Sequence, residues 1–600
     1  MSVHMSTPQQ NTWGTKYCGW GGINLEDLDY KITPTQSPDL LNVRIKNGTF
    51  GKRRGQEWYS NELENIYSMF MFKEVLYVHA GTHFYKQTGV ENELATFEQI
   101  GTVSAQKGQF FAFNNHLYYL NGIDYMTLTD DGFTDVVPYI PNIIINRAAG
   151  KEDGTLTNNY NRLGSGFKNS FHGDGTETKF ILTTKGLDST KVTATVDGVD
   201  KVETTDFTVD RDKGIVTFKT APADGTNNVV ITAYKTDQEY IDTIKKCKFA
   251  ITYGGENNSR IFIGGSGANY YFSDVLDPTY FPEQNYSPVG NNSGDITGFG
   301  EQYDVLVVFT NRETYGVEYQ TRDDGTAYFT QVLINGRVGC DCPGTIQLIQ
   351  NRLTWLTTYD GVCTMVSTSI EDERNIMPIS RNVNPKLLKE ANLKQAVSID
   401  YDENYMLCVN GNAYSWNYGV SPYSHTGNTV EDARNLAWFL YDNINASSFV
   451  ETDTEFLYAR DNRIVKFIEV LSDFGNAINA YYQTPALDFD RIDYLKTISK
   501  MFVSIRGDVA SRIYITYMYD DNDKEEEHPL MLAGQLWSAL SMDTFSIEGN
   551  TRFAQTFMRK CKIKKVRNFS VRFYNNEDNQ DMNISEVMLY YTYAKRDKGG

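Results

Sequence analysis

Two histidines four residues apart form a pair that could bind a metal ion. The stretch "VLYVHAGTHFYKQTG" (75–89) carries His79 and His83 across a short glycine-containing turn. A zinc site needs about four ligands, so this pair would require others from elsewhere in the chain. Apolar residues on both sides of such a turn are equally typical of a plain β-hairpin.

Two cysteines one residue apart raise a second metal hypothesis. Cys340 and Cys342 in "GCDCPG" (339–344) would lie on the same face if they were on a strand. A structural zinc site would have a second close pair of Cys or His, and the sequence shows none. The pattern favours buried thiols, since free cysteine is among the most buried residue types.

Acidic clusters could bind calcium. The run "YDDNDKEEEHP" (519–529) has Asp520, Asp521 and Asp523 close together but lacks the spacing and central glycine of an EF-hand. The stretch "DRDKG" (210–214) has the composition that a tight hairpin turn requires. We interpret the first as a solvated loop and the second as a turn.

No group of residues indicates an active site. The sequence has no Gly-x-Ser-x-Gly, His-Glu-x-x-His or Walker motif, and "GGSGANYY" (264–271) leads into another β segment rather than a phosphate-binding helix. Asp488 and Asp490 form the kind of carboxylate pair that a charged chain contains by chance. We therefore predict no enzyme activity, no catalytic residue, no metal and no cofactor.

The elements that carry these residues repeat along the chain. The recurring unit is an apolar strand, a short polar turn, an alternating strand, a Gly, Asn or Asp turn, and a third strand with an aromatic residue. The middle strands of seven such units begin at Leu76, Leu117, Ile261, Leu306, Leu353, Met406 and Leu457. Five of the six spacings match the roughly 40–50 residues of a propeller blade, which predicts an all-β chain with a β-propeller.

The long spacing between the second and third units indicates an insertion. Residues 151–170 are polar and read as a linker, and 173–236 alternates with period two through several hairpin turns, as a small β-sandwich would. Short helices are predicted over 237–248, 384–396 and 429–439. The repeat stops near residue 478, and a second β-sandwich follows.

The pattern divides the chain into five predicted segments. They are an N-terminal arm and first strand (1–60), the first part of the propeller (61–150), the inserted β-sandwich (165–236), the second part of the propeller (237–478) and a C-terminal β-sandwich (479–600).

Charge and cysteine content restrict the partners and the compartment. The 600 residues hold 56 basic and 76 acidic side chains, a net charge of −20, which disfavours tight binding of nucleic acid by the surface as a whole. Seven scattered cysteines indicate reduced thiols and folding in a cytoplasm. We predict neither a signal peptide nor a membrane span.

Three phrases give the sequence a resemblance to a known group. The opening "GGINLEDLDYKITPTQSPDLLNVRIKNGTFGKRRGQEW" (21–58) is similar to a Gly-Gly-x-Asn start, an Asp-x-x-Asn segment and a Lys-Arg-x-Gly turn. The matching residues are Gly21, Gly22, Asn24, Asp39, Asn42, Lys52, Arg53 and Gly55; the extra Arg54 also allows a match through Arg53, Arg54 and Gly55. The passages 270–319 and 337–362 are similar to the blade-to-blade phrases of the same group. The group is the tail-nozzle (tail tubular protein B) and packaged-DNA-stabilisation proteins of tailed bacteriophages.

The resemblance implies a structural protein of the virion, assembled in the host bacterial cytoplasm. It would form a ring, expected to be homohexameric, as a tail nozzle or head–tail connector that extends or closes the DNA channel for genome retention and ejection. Portal and adaptor proteins and tail-fibre or tail-tip proteins are the implied partners, with double-stranded DNA passing without specific binding. The net charge of −20 suits a channel wall that does not hold DNA.

Two further hypotheses remain open at this stage. The abundance of Tyr and Trp would also fit a tail-tip propeller that binds carbohydrate or recognises a receptor. The inserted module or the C-terminal sandwich could bind neighbouring fibres. The basic turn Lys52, Arg53 and Arg54 is a candidate docking site for an acidic neighbour, although a charged turn needs no such role.

Overall fold

The computed structural model confirms an all-β chain. It describes residues 12–17, 19–46, 48–254, 258–291, 294–323, 325–369, 375–421, 435–452, 455–506, 511–520, 522–524, 530–532 and 555–596. Within these ranges the chain forms 51 strands and two short α-helices. No helix of the described residues is long and apolar enough to span a membrane.

The N-terminal arm contributes five short strands that pair far along the chain. They are β1 (Trp13–Tyr17), β2 (Leu40–Leu41), β3 (Val43–Lys46), β4 (Thr49–Lys52) and β5 (Gly55–Trp58). Strands β1 to β4 join sheets built from residues beyond 479, and β5 joins a sheet built from residues 448–477. The arm, predicted as a separate segment, is therefore shared between two parts of the fold.

Six sheets of four antiparallel strands follow one another along the chain, each strand pairing with the next. Sheet 1 contains β6 (Ile66–Phe72), β7 (Val75–Ala80), β8 (His83–Glu91) and β9 (Leu94–Thr102); sheet 2 contains β10 (Gln109–Phe113), β11 (His116–Leu120), β12 (Tyr125–Thr129) and β13 (Gly132–Asp135). The inserted module comes between sheets 2 and 3.

The module is a six-stranded sheet and a three-stranded sheet packed around their own apolar core. Its strands are β14 (Asn142–Ala148), β15 (Thr155–Leu156), β16 (Gly166–Gly173), β17 (Lys179–Ile181), β18 (Thr193–Val196), β19 (Val199–Lys201), β20 (Phe207–Asp210), β21 (Ile215–Phe218) and β22 (Gly225–Tyr234). Because β14 runs parallel to β16 and buries Ile143 in this core, the module begins near 142 rather than at the predicted 165. The polar stretch after β14 hides this pairing in the sequence.

Four more four-stranded sheets come after α1 (Gln238–Lys245). Sheet 3 contains β23 (Phe249–Tyr253), β24 (Arg260–Gly264), β25 (Asn269–Phe272) and β26 (Tyr286–Pro288); sheet 4 contains β27 (Ile296–Gln302), β28 (Val305–Thr310), β29 (Thr314–Thr321) and β30 (Ala327–Asn335). Sheet 5 contains β31 (Gln347–Ile349), β32 (Arg352–Thr357), β33 (Gly361–Met365) and β34 (Ile376–Pro378). After α2 (Asn384–Leu387), sheet 6 contains β35 (Val397–Tyr401), β36 (Asn404–Val409), β37 (Asn412–Asn417) and β38 (Trp438–Tyr441).

Sheet 7 combines both ends of the repeat region. Its strands β39 (Ser448–Glu451), β40 (Phe456–Arg460) and β41 (Arg463–Ile468) are followed in the sheet by β5 and then by the short β42 (Ser472–Asp473) and β43 (Asn476–Ala477). Each of the seven residues that mark the sequence repeat lies in the second strand of one of sheets 1 to 7.

The first hairpin of sheets 1, 2, 4, 5 and 6 uses the same turn. Two consecutive residues with positive φ join the first strand to the second, which is the type I′ geometry that suits the twist of paired strands. These pairs are Lys73 and Glu74, Asn114 and Asn115, Tyr303 and Asp304, Gln350 and Asn351, and Asp402 and Glu403. The five turns thus share a backbone conformation, although their residues differ in type.

The first strands of the seven sheets lie next to one another in a closed circuit. Each of β6, β10, β23, β27, β31, β35 and β39 contacts the next, and β39 contacts β6. Across the insertion, the Gln109 side chain makes two 3.0 Å hydrogen bonds to the backbone of Ala250. Sheets 2 and 3 are therefore neighbours despite the long insertion between them.

The C-terminal region forms two further sheets that share one apolar core with the arm and with sheet 6. Its strands are β44 (Ala480–Gln483), β45 (Tyr494–Ile505), β46 (Ser511–Tyr519), β47 (Asn522–Lys524), β48 (Leu530–Leu532), β49 (Gln555–Val566), β50 (Ser570–Asn575) and β51 (Ile584–Arg596). One sheet runs β3-β4-β51-β45-β49 with β1 beside β51, and the other runs β2-β44-β50-β46-β47 with β48 beside β46.

The predicted helices are shorter in the structure. Asp237 caps α1 by accepting a hydrogen bond from the backbone N–H of Tyr240 at 3.2 Å. The helix predicted over 384–396 is α2 followed by a 3-10 turn, because Asn392 adopts a left-handed φ of 58°. Most of the third predicted helix, over 429–439, lies outside the described residues, and its last residues begin β38.

Candidate functional site

The basic turn predicted as a docking site is folded into the chain. It connects β4 to β5, and Lys52 and Arg53 are each only 1% exposed. Arg54 retains 24% exposure of its side chain. Lys52 and Arg53 therefore do not form a docking surface. Both side chains are buried and bind partners within the chain.

Arg53 is clamped by a carboxylate from sheet 7. Its Nη1 and Nη2 donate to Oδ1 and Oδ2 of Asp473 at 2.9 and 2.5 Å, and its Nε donates to Oδ1 of Asn42 at 2.9 Å. Such a two-pronged pair suits the planar guanidinium, and its removal from water is compensated only while both partners are present. The pair joins the N-terminal arm to residues about 420 positions later.

Asn42 links the same region to sheet 6. Its backbone φ is 54°, a left-handed conformation that asparagine tolerates better than most residues. Its Nδ2 donates to Oδ1 of Asp442 at 2.6 Å and to the carbonyl of Asn479 at 2.8 Å. We call Asn42, Lys52, Arg53, Gly55, Asp442 and Asp473 the junction.

Lys52 fastens the junction to the C-terminal sheets. Its Nζ donates to the carbonyl of Glu577 at 2.7 Å, and its backbone N–H donates to Oδ1 of Asp581 at 2.7 Å. Burial lowers the pKa of Lys52 to about 8, although the neighbouring carboxylates of Asp581, Asp578 and Glu577 oppose that shift.

Gly55 is a packing requirement of the junction. A Cβ at this position would lie 2.2 Å from the carbonyl oxygens of both Val470 and Ser472. Gly22 is similarly constrained, with a φ of 77° and a Cβ position 2.5 Å from the carbonyl oxygen of Trp438. Only glycine lets these backbones approach so closely.

The other residues of the resemblance also make internal contacts. Asp39 accepts hydrogen bonds from Arg572 at 2.7 Å and from the hydroxyl of Tyr481 at 3.1 Å. Asn24 is buried and donates to Oε1 of Gln36 at 3.1 Å. The contacts of Gly21 and Asn24 lie within the arm, and the other six matching residues contact residues of the later sheets.

Arg54 faces a cavity of about 410 Å³ between the arm, sheet 6 and sheet 7. Its Nε lies 2.8 Å from Oε1 of Glu469, and its Nη1 donates to the hydroxyl of Tyr401 at 2.9 Å. Glu469 also pairs with Arg44 at 2.9 Å and with Lys46 at 3.5 Å. Partial burial opposes ionisation of Glu469, but the three cations together lower its pKa to about 2.

The cavity holds charges of both signs that already pair with each other. Its wall also includes the stacked rings of Tyr401 and Phe456, whose centroids are 4.2 Å apart. Such a wall can hold a small polar group, but the internal pairs leave little unbalanced charge to select an ion. These ion pairs connect the arm with sheets 6 and 7.

The two histidines of sheet 1 have separate surroundings. His79 is fully buried, with Nδ1 2.5 Å from the hydroxyl of Tyr119 and Nε2 3.2 Å from the carbonyl of Gly81. Burial lowers the pKa of His79 to about 4. His83 contacts Oε1 of Glu64 at 3.0 Å. The hairpin interpretation is confirmed, since Ala80 pairs with His83 across a two-residue turn.

The prediction of buried thiols is also confirmed, although Cys340 and Cys342 precede a 3-10 turn and are not part of a strand. Cys340 and Cys342 are both 0% exposed, and burial raises the pKa of each thiol. The described cysteines, 247, 340, 342, 363, 408 and 561, are all buried and reduced. Cys18 lies outside the described residues.

The acidic clusters have structural roles where they are described. Asp520 accepts hydrogen bonds from the backbone N–H groups of Arg567 and Asn568 at 2.8 and 3.2 Å. Asp210 accepts from the N–H of Lys213 at 3.1 Å in the hairpin between β20 and β21, as predicted. Asp521 and the side chain of Asp523 lie outside the described residues.

Sequence reasoning missed the acidic half of the junction. Asp442 and Asp473 of the junction, and Glu469 beside the cavity, occur in ordinary turns and strand ends, hundreds of residues from Arg53 and Arg54. No local spacing connects these residues, so only the folded chain brings them together.

Comparisons with known proteins add little to the geometry. No protein-family model matches this chain, and no curated protein sequence does. Among solved structures, PorZ, an essential bacterial surface component of the type-IX secretion system of Porphyromonas gingivalis, is 9% identical with a TM-score of 0.34 over 72% of this chain and 43% of PorZ. This chain thus spans less than half the length of PorZ.

Two other solved structures are equally distant. The AfRom2 CNH domain has 9% identity and a TM-score of 0.32 over 69% of this chain and 99% of that domain. The extracellular domain of the hybrid two-component system BT3049 from B. thetaiotaomicron has 9% identity and a TM-score of 0.25 over 78% of this chain and 68% of that one. At these scores none of the three carries an argument about this protein.

Proposed function

We propose that sheets 1 to 7 are the blades of a seven-bladed β-propeller. The support is the closed circuit of first strands, together with the shared hairpin turn of five sheets. Strand β5 completes the seventh sheet from the other end of the repeat region, pairing with β41 from Val465 to Ile468. Circular closure of this kind leaves no free end sheet in the array.

We further propose that the chain is a structural subunit of a bacteriophage virion, in a tail nozzle or head–tail connector. The observation that carries the proposal is the junction, where Asn42, Lys52, Arg53 and Gly55, four of the eight residues of the resemblance, contact residues about 400 to 525 positions later. A conduit subunit must resist forces transmitted through the particle. A buried ion pair that joins residues about 420 positions apart resists peeling of the arm.

In this role several copies, six in our proposal, surround the path of double-stranded DNA below the portal and adaptor proteins. Fibre or tail-tip proteins would contact the outside of the ring, and the protein would assemble in the bacterial cytoplasm before joining the virion. A net charge of −20 keeps the wall from retaining a polyanion during ejection.

Electron microscopy tests the proposal directly. Negatively stained purified protein should form rings, and particles labelled with an antibody against the chain should show it at the tail or neck. Protein that never forms rings, together with particles that lack the label, would overturn the proposal.

A second candidate function is carbohydrate recognition at the tail tip, and a groove beside sheets 1 and 2 favours it. The groove has a volume of about 780 Å³. Its wall offers hydroxyl, carboxylate and ammonium groups that can hydrogen-bond to sugars, from Lys86, Tyr118, Thr127, Thr129, Asp130, Thr134 and Asp135. Binding to a glycan array that is lost in Asp130→Asn/Asp135→Asn would support this function, and an array without signal would leave it unsupported.

A further inference from the structure

The net charge of the chain is distributed unevenly. Residues 479–600 hold 17 basic and 17 acidic side chains, so the whole net charge of −20 belongs to residues 1–478. Within the C-terminal region, residues 559–567 carry six basic side chains and no acidic one. Most of these residues belong to β49.

Strand β49 lies at the end of its sheet, where it pairs with β45 among the described residues. Residues of β45 and β51 that face the sandwich core, such as Met501, Val503 and Leu589, are almost fully buried. The alternate residues form the outer face of the sheet. We call this outer face of β49, β45 and β51 the cationic face.

On the cationic face, residues paired across β49, β45 and β51 form rows that run across the strands. One apolar row joins Met558, Phe502 and Met588, in which Met558 is 47% exposed and the other two are half-buried. The next row joins Lys560, Lys500 and Tyr590, and a further row joins Lys564, Thr497 and Thr592. The result is an apolar strip with exposed lysines on one side, while the row on its other side joins Thr556, Ser504 and Glu586.

Among the residues that the structure describes, few carboxylates lie near the lysines of this face. Glu586 is the acidic residue of β51 on this side, and it is paired with Lys16 and Ser504. Lys560, Lys562, Lys564 and Lys565 form no ion pair with a carboxylate of the described residues. Counted over the described residues, the face therefore has a surplus of positive charge on a strongly acidic chain.

Addition of a partner strand to the edge of β49 is disfavoured. The pairing of β49 with β45 has two register shifts, and Lys562 and Lys565 have positive φ values of 53° and 62°. Bulges and lysines of this kind interrupt the regular row of N–H and C=O groups that strand addition needs. A partner must instead use the side chains of the face.

We propose that the cationic face docks on the acidic surface formed by residues 1–478 of a second copy of this chain. The inference rests on the proposed ring and names the surface that builds it. The charges of the two surfaces are complementary, and the apolar strip supplies area that excludes water between them.

Charge reversal on the cationic face tests the inference. Lys560→Glu/Lys564→Glu should raise the protein concentration at half-assembly at least tenfold in sedimentation velocity, and wild-type assembly should weaken as NaCl is raised. The matched control is Lys185→Glu/Lys191→Glu, which makes the same charge change at exposed lysines of the inserted module and should assemble within twofold of wild type. Circular dichroism checks that each variant is folded.

The outcomes separate the two proposals. Wild-type protein that stays monomeric at every concentration overturns both the ring and the docking surface. Rings that form equally well in the Lys560→Glu/Lys564→Glu variant leave the ring standing and overturn the surface. If a 30-base-pair DNA duplex binds wild type but not the variant, and assembly is unchanged, the face recognises a polyanion and the inference fails.

Discussion

The junction and the inserted module are stabilised by different interactions: polar and charged contacts in the junction, apolar packing in the module. The junction is a set of buried charges and amides whose partners are about 420 residues apart. The module core consists of aromatic and aliphatic side chains from residues 143–233 alone. A core made from one continuous segment can form without the rest of the chain, whereas the junction forms only after both chain ends have been folded into place. The comparison predicts two units with separate stabilities.

Breaking the Arg53–Asp473 pair should have the largest effect. Arg53→Met leaves the Asp473 carboxylate buried without its partner, which should reduce the free energy of unfolding by about 3–5 kcal/mol. All seven tryptophans lie outside the module, at 13, 20, 58, 355, 416, 438 and 537, so urea unfolding followed by tryptophan fluorescence reports on the rest of the chain. Arg54→Met, which removes a more exposed pair, should cost about 1 kcal/mol or less.

Removing a core ring from the module should leave that fluorescence signal unchanged. Phe180 is 0% exposed and packs edge-on against Phe171 and Phe218. Phe180→Ala should destabilise the module by about 3 kcal/mol. Circular dichroism should therefore show an earlier partial transition, with no change in the tryptophan transition. A joint shift of both signals would mean that module and junction unfold together.

Adding one methyl group at the junction should cost less than removing the ion pair. In Gly55→Ala the new Cβ meets two carbonyl oxygens at 2.2 Å, which should cost about 2 kcal/mol in the same fluorescence assay. Gly89→Ala in β8 is the matched control, because its nearest atom is the Thr96 hydroxyl at 3.7 Å. Equal effects at the two sites would contradict the close packing described for Gly55.

The smallest effect concerns pH. Burial lowers the pKa of Lys52 to about 8 in the folded chain, below its ordinary value of 10.5, so the unfolded chain binds more protons between these values. Stability should therefore rise with pH in this window, by about 1 kcal/mol between pH 8 and 9.5. Lys52→Met should lose this dependence, as measured by urea unfolding at both pH values. A variant with the same pH response as wild type would show that Lys52 is not the titrating group.

The inserted module is also held to the sheets of the repeat by side-chain contacts. Its segment near Arg162 returns to sheet 3, where the guanidinium lies 4.3 Å from the ring centroid of Tyr240 and donates to the carbonyl of Glu283 at 2.7 Å. Deleting 173–236 would leave β16 without its partner β22, and β14 pairs with β16. A deletion that tests the role of the module must therefore account for the strand at 142–148 as well.

Much of the repeat could be predicted from sequence because it is local. Apolar alternation and short polar turns marked all seven second strands, and the Asp-Lys-Gly turn of the module and the hairpin at His79 were correctly interpreted. Helix lengths were overestimated where a left-handed Asn392 ends the helical pattern. The docking role for Lys52 and Arg53 failed because charge in a sequence does not reveal burial.

The sequence by itself determined the strand content, the number of repeated units and the presence of an inserted β module, since these depend on periodicity within a few tens of residues. Only the tertiary structure decided that β5 belongs to the seventh sheet, that β1 to β4 belong to the C-terminal sheets, and that Arg53 pairs with Asp473. Those contacts join residues hundreds of positions apart. Their partners are selected by the shape and charge of the assembled sheets, which no local pattern contains.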